Sequence, residues 1–305
     1  MLLRPNESEA KSPSQPLSGF ERATWHAPRT LEDACAKLAA LRGEKKSVVV
    51  LSGGTDLIVD RHLAPIERQH PVDAVLEITG IADARSIVVN DDAIVFGGGV
   101  TYWDLRSEPV EKVLPMLSAM AKDVGAVQIQ TRGTLAGNIA SASPAADGVA
   151  ALMALDAVVT LQSVRGRREI PLETFFTAYR KTVMAEDELI ASIRVRRPAT
   201  GARVTWRKVG TRLAQAISKV ALAAVVETKD GVFTHVRFGI ASVAATTHPL
   251  LSVRDALEGK AIASFDAGAL DALVGKALSP IDDVRSTGDY RLHVAKALIR
   301  QAVLG

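Results

Sequence analysis

At 305 residues, with 48% hydrophobic and 23% charged side chains, the chain has the make-up of a globular protein with one large domain or two to three smaller ones, which argues against disorder and fibre. A net charge of +3 is too small at this size to point to nucleic acid as the main partner. The single cysteine, Cys35, excludes an internal disulfide framework, a multi-cysteine zinc site and an iron–sulfur cluster held by this chain alone. The histidines at 26, 62, 70, 235, 248 and 293 are scattered without ligand spacing, so no transition-metal site is expected.

Residues 1–19, with Pro5, Pro13 and Pro16 and no apolar core of a secretory signal, read as a flexible arm. Runs such as "VALAAVV" fall far short of the roughly 20 apolar residues that span a bilayer. No membrane insertion and a cytoplasmic location are therefore expected. In "PRTLEDACAKLAALRG" the apolar positions Leu31, Ala34, Leu38 and Leu41 predict a helix, capped by Thr30 and Asp33 and stopped at Gly43. "VVVL", 48–51, predicts a buried strand that feeds "SGGTD" and a short apolar segment limited by Pro65.

Next come β-rich pieces, "AVLEI" and "AIVFGGGVT", then helical patterning from about Pro109 to Gly125. "TRGTLAGNIASASPAAD", 131–147, follows, with Ser143-Pro144 placed to start a helix, and "DGVAALMALDAVVTLQ" predicts a helix–strand pair. "ELIASIRVR" alternates as a strand, and 197–203, "RPATGAR", is the best candidate linker. The last hundred residues predict a hairpin turning on Asp230-Gly231 and two closing amphipathic helices. This is an α+β order, not a regular βαβ repeat.

Two stretches could carry chemistry. In "LSGGTDL", Gly53 and Gly54 allow successive N–H groups to converge on an anion, with Thr55 adding a hydroxyl. The same sequence also suits a plain turn between strand and helix. In 131–147, Gly133, Thr134, Gly137 and Asn138 offer a second anion-facing set, with Ser141, Ser143 and Asp147 able to bond ribose hydroxyls or to cap a helix. "FGGGVT" suggests close backbone packing or a bulge. Arg203, Arg207, Lys208, Arg212 and Lys219 form a basic ribbon that could face a diphosphate or simply solvent. Neither G-x-x-x-x-G-K-[ST] nor G-x-G-x-x-G occurs, and no catalytic triad is spaced in the chain. Backbone donors without a reactive side chain suit a protein whose chemistry belongs to a bound cofactor.

These stretches, in this order, resemble the FAD-binding medium subunits of the molybdenum hydroxylases, the xanthine dehydrogenase and carbon monoxide dehydrogenase type. The resemblance covers nearly all of the chain after Gly19. It rests on "LSGGTDL", on the more specific "TRGTLAGNIASASPAAD", on "FFTAYRKT" and "KVGTRLAQAISKV", and on the closing "IDDVRSTGDYRLHVAKALIRQAV". It implies an α+β, FAD-binding fold of the vanillyl-alcohol-oxidase type over 20–197, with subdomains of about 20–75 and 76–197. A smaller α+β C-terminal domain over 198–305 would follow.

By the same resemblance Gly53, Gly54, Thr55 and Asp56, with Ser52 beside them, would hold the FAD pyrophosphate, and Leu57 would lie near the flavin. Thr134, Gly137 and Asn138 would line the second loop, Asp147 would bond the adenosine ribose, and Lys208 would sit near the adenine or flavin edge. The implied partners are a small subunit with [2Fe–2S] clusters and a large subunit with molybdopterin, as a dimer of heterotrimers, with NAD⁺ or another final acceptor. Ala136 stands where a second glycine is common. Ala214, Gln215 and Ala216 replace acidic residues of eukaryotic xanthine dehydrogenases in the loop bordering the flavin, which bears on the use of NAD. Two further readings are a self-sufficient FAD oxidoreductase of the same fold and a non-catalytic nucleotide-binding module.

Overall fold

The computed structural model describes residues 20, 22–63 and 71–305. The expected arm at 1–19 and the limiting Pro65 lie outside these residues. The chain opens with β1 (Thr24–His26), α1 (Leu31–Gly43), β2 (Val48–Leu51), α2 (Leu57–Leu63) and β3 (Ala74–Glu77). The strands make a parallel sheet in the order β1-β3-β2. Thr30 caps α1 by accepting from the Asp33 N–H at 3.0 Å. Of the predicted stripe, Ala34, Leu38 and Leu41 are buried against Val48, Ala74 and Leu76 while Leu31 is only partly buried, and Cys35, outside the prediction, is buried with them. Because β2 and β3 run in parallel, their C-terminal ends open on the same edge, where Ser52 and Ile78 follow them.

The second unit comprises β4 (Ile87–Val89), β5 (Ala93–Gly97), α3 (Val110–Val113), α4 (Pro115–Asp123), α5 (Val127–Gln130), α6 (Leu135–Ser141), α7 (Asp147–Ala154), β6 (Val158–Ser163), β7 (Gly166–Pro171), β8 (Phe176–Ala178), β9 (Lys181–Thr182) and β10 (Leu189–Arg196). Five strands form an antiparallel sheet in the order β4-β5-β10-β6-β7. Its core is shared with α4, α6 and α7. The helical patterning expected from about Pro109 to Gly125 is broken at Leu114, because Pro115 disfavours α geometry in the residue before it. The helix expected to start at Ser143-Pro144 begins instead at Asp147. Ser143 Oγ accepts from the Ala145 N–H at 3.3 Å and holds a turn ahead of it.

The third unit is β11 (Arg203–Val209), β12 (Val220–Lys229), β13 (Val232–Ala241), α8 (Leu251–Leu257), α9 (Ala267–Ala277) and α10 (Gly288–Leu304). The strands form an antiparallel sheet in the order β11-β12-β13. Strand alternation divides β12 between two cores. Ala221, Ala223 and Val225 join the cluster around α7, while Val220, Leu222, Ala224 and Val226 face α8, α9 and α10. All eight residues of α7 are buried, as a helix enclosed on every side requires. A Cβ on Gly239 would lie 2.0 Å from the Ala150 carbonyl oxygen, so this sheet meets α7 backbone to backbone.

Asp230 and Gly231 both take positive φ, +52° and +76°, as the predicted tight hairpin needs. The stretch expected as a linker is a pinned connection: the Arg197 N–H donates to Asp92 O at 2.9 Å and the Ala199 N–H to Glu227 Oε1 at 2.9 Å. Three helices, not two, close the chain. No helix among the described residues is long and apolar enough to cross a membrane.

Candidate cofactor site

The first glycine loop leaves β2 at Leu51. Gly54 has φ +75°, a conformation side chains rarely adopt, and the N–H groups of residues 53–56 donate to no protein group among the described residues. A Cβ on Gly53 would stand 2.1 Å from the Arg132 carbonyl oxygen, so the loop lies directly on the second one. Two side-chain hydrogen bonds complete the junction. Ser52 Oγ and Thr134 Oγ1 are 3.1 Å apart across 82 residues of sequence, and Ser141 Oγ donates to Asp56 Oδ2 at 2.8 Å. Thr55 Oγ1 also lies close to Gly133, and half-buried Leu57 begins α2.

The second stretch carries a short helix, α6, between turns and meets α7 at Asp147. Thr134 caps α6, its Oγ1 accepting from the Gly137 N–H at 3.0 Å. Asn138 Oδ1 reaches forward to accept from the Val149 N–H at 3.2 Å and so ties α6 to α7. Ala136 is buried close to Gly98, where its methyl group is accommodated. Gly97 and Gly98 are glycines for packing: Cβ atoms there would lie 2.4 Å from Ala84 O and 2.2 Å from Ile190 O. An open cleft runs between the loops, lined by Ser52, Ile78, Arg85, Thr101, Arg132 and Thr134.

The Tyr102 hydroxyl is buried beside Gly148 and Asn138 without a hydrogen-bond partner among the described residues. Burial, and then the charges of Asp147 and Asp56, push its ionisation well above the usual range. Nothing in the sequence pattern singled it out. Arg132, also missed, is exposed at the cleft and makes no ion pair among the described residues. An anionic group fits this donor set, with open backbone N–H groups, two hydroxyls and a cation, better than a metal ion would. No metal-binding cluster of His, Cys, Asp or Glu exists among the described residues.

An FAD-binding domain model of molybdopterin dehydrogenases matches residues 18–198, and a carbon monoxide dehydrogenase flavoprotein C-terminal domain matches 206–305. The chain belongs to the FAD-binding medium-subunit family of the molybdenum hydroxylases. It is 30% identical to the carbon monoxide dehydrogenase medium chain of Hydrogenophaga pseudoflava over 92% of this chain and 96% of that one. The nicotinate dehydrogenase FAD-subunit of Eubacterium barkeri is 31% identical over 68% of this chain and 69% of its own. A solved structure of the Hydrogenophaga enzyme, lacking the Mo-pyranopterin moiety of its cofactor, superposes with a TM-score of 0.83 at 28% identity, covering 93% of this chain and 96% of that one. This medium subunit is thus an oxidoreductase component with an FAD-binding domain and the α+β fold expected of it.

Asp147 and Lys208 of this medium subunit meet each other. Asp147 opens α7, where a carboxylate favours the helix dipole, and is only 8% exposed. Lys208 Nζ lies 2.5 Å from its Oδ2, and Ser218 Oγ donates to its Oδ1 at 2.5 Å. Lys208 also donates to Asp123 O at 2.8 Å, while Trp206 Nε1 holds the Asp123 carboxylate at 2.7 Å. Burial raises the Asp147 carboxyl above its ordinary range, and Lys208 and Ser218 oppose that rise. Ser218 was not among the sequence candidates.

The basic ribbon does not form one face. Arg203 holds the carbonyl of Val303 at the end of α10, Arg207 turns to Trp206 O, and Arg212 closes its own loop onto Gln215 O. Lys219 sits over the Tyr290 ring at 5.2 Å. In the loop of Ala214, Gln215 and Ala216, Leu213 is fully exposed and Ile217 is mostly so.

Proposed function

We propose that this subunit holds FAD across the two joined loops and relays electrons through it within a molybdenum hydroxylase complex. The observation that carries the reading is the Ser52–Thr134 junction beside four backbone N–H groups without protein partners among the described residues. Gly53, Gly54, Thr55 and Asp56, with Ser52, would receive the pyrophosphate. Leu57 would lie toward the flavin, and Thr134, Gly137 and Asn138 would wall the other side. Asp147 would face the ribose and Lys208 the adenine or flavin edge, as one ion pair instead of two separate contacts. Bound FAD supplies two-electron redox chemistry. The residues around it bind and orient it and set the charge at its edge.

The division of labour we propose puts the cofactor on residues 20–197, in subdomains of about 20–75 and 76–197, with 198–305 as the C-terminal flavoprotein domain. Relatives are named as medium chains or FAD subunits of dehydrogenases. By analogy a small subunit with [2Fe–2S] clusters would deliver electrons taken from substrate at molybdopterin on a large subunit, in a dimer of heterotrimers. With one cysteine, this chain needs such a partner if clusters are to deliver the electrons. NAD⁺ or another acceptor would receive them, in the cytoplasm. Capture of the tagged chain from its own host, followed by iron and molybdenum analysis, tests this: both metals in fixed ratio to flavin support it, and a metal-free flavoprotein overturns it.

A further inference from the structure

The Asp147–Lys208 pair is the inner end of a longer buried path. β11, β12 and β13 bring Lys208, Ser218 and Ser242 to one end of the third sheet, with Lys208 opposite Ala221 and Ala221 opposite Ala241. Ser242 there has φ +67°, a conformation that strains a residue with a Cβ. It uses all three of its polar groups. Its N–H donates to Pro144 O in the second loop at 2.8 Å, and its Oγ donates to Ser218 O at 2.9 Å. Its carbonyl accepts from Arg291 Nη1 at 2.6 Å.

Arg291, on α10, is 2% exposed, its Nε is buried without a hydrogen-bond partner among the described residues, and its other arm is paired with Asp283. Asp283 is in turn held by Arg285, which with Arg291 and the backbone keeps that carboxyl far below the ordinary range. A buried arginine is a poor way to gain stability, since apolar replacements of such pairs are often neutral or better. Its geometry instead fixes where Ser242 and Ser218 stand.

We propose that Ser242 and Arg291 are positioning residues for the Asp147–Lys208 pair, so that the C-terminal motif around "DVRSTGDYR" sets the cofactor site from the far side of the sheet. The proposal rests on the reading that Asp147 faces bound FAD. It accounts for why that motif, remote from both glycine loops, accompanies them in this chain. The path runs from Arg291 to Ser242 O, from Ser242 Oγ to Ser218 O, and from Ser218 Oγ to Asp147, with every link at hydrogen-bond distance.

The test is a double-mutant cycle on the full chain, read as the FAD dissociation constant from flavin fluorescence, with the thermal midpoint recorded alongside. Ser242→Gly removes the hydroxyl while relieving the positive φ, so it keeps the test valid even if Arg291→Lys does not fold. Ser242→Gly and Ser218→Ala are each expected to weaken FAD binding about three- to tenfold, the worth of one hydrogen bond. Ser218→Thr, which keeps the hydroxyl, should restore it. Ser242→Gly should add no further loss in an Asp147→Asn background. Unchanged FAD affinity with only a lowered thermal midpoint, or losses that multiply in the double variant, would overturn the positioning role. If Asp147→Asn itself binds FAD as wild type does, the underlying placement of Asp147 fails, and the proposal with it.

Discussion

Around Gly53 the backbone N–H groups have no protein partners among the described residues, whereas around Asp147 both carboxylate oxygens are already engaged by Lys208 and Ser218. The first region is made of main chain and glycine, which approach a ligand closely and bring no charge of their own. The second is made of buried side chains that first satisfy one another, and can act on a ligand only through the field and geometry of the finished cluster. Sites of the first kind are written locally in sequence. Sites of the second kind appear only when strands from distant parts of the chain are laid side by side.

The largest expected effect comes from breaking the second region. Lys208→Met leaves a buried carboxylate without its counter-ion and should cost about 3–5 kcal/mol, measured by urea unfolding. Adding Asp147→Asn should recover much of that loss. If the double variant is no more stable than the single one, the pair is not what holds the cluster. In the first region, Gly53→Ala drives a methyl group into the Arg132 carbonyl and should cost about 1–3 kcal/mol while abolishing FAD retention. The control is Gly43→Ala, where a Cβ meets nothing within 4 Å and FAD content should stay at the wild-type level. Gly54→Val is a poorer probe, because φ +75° makes any side chain there strained before a ligand is considered.

Dependence on pH sharpens the contrast between the Asp147 cluster and the ion pairs of the domain interface. The Asp147 carboxyl is raised, so its contribution is present below the ordinary carboxylate range and is lost as pH rises through its raised value. Asp156 behaves in the opposite sense. Burial would raise it, but the His235 hydrogen bond and the Arg237 charge together hold it low, and Glu227 is held low by Arg196 and the Ala199 N–H against the same burial. Their contribution is present above the ordinary carboxylate range and lost as pH falls through their lowered values. The urea midpoint should therefore drop on acidification to below about pH 4, less so in Asp156→Asn. An Asp156→Asn variant with the full wild-type acid loss would remove this interface from the explanation. The smallest effect belongs to Leu213→Ser, which should shift stability by less than about 0.5 kcal/mol because the side chain is fully exposed.

Much of the fold was legible in residues. The Thr30 cap, the apolar positions Ala34, Leu38 and Leu41 of α1 and the Asp230-Gly231 turn each carry a local signature, and each is present as expected. The break at Leu114 was also written in the sequence, in Pro115, but the apolar pattern on either side of it masked the stop. The basic ribbon failed for a simple reason: Arg207 and Lys208 are neighbours on a strand and point to opposite faces, so they cannot share one ligand surface. Lys208 goes inward with Trp206. Ser218, Ser242 and Arg291 have no mutual spacing to read, since they converge only through strand register. The family resemblance supplied Asp147 and Lys208 as site residues, and the geometry adds that they are one unit.

The most direct test of the account is the flavin content of the purified full-length chain, read from its visible spectrum and from cofactor released by heat, with FAD added back to any apo fraction. About one equivalent of tightly held FAD, lost in Gly53→Ala and retained in Gly43→Ala, is the predicted result. A well-folded, colourless chain that takes up no added FAD would contradict it, and the open N–H groups around Gly53 would then need another ligand.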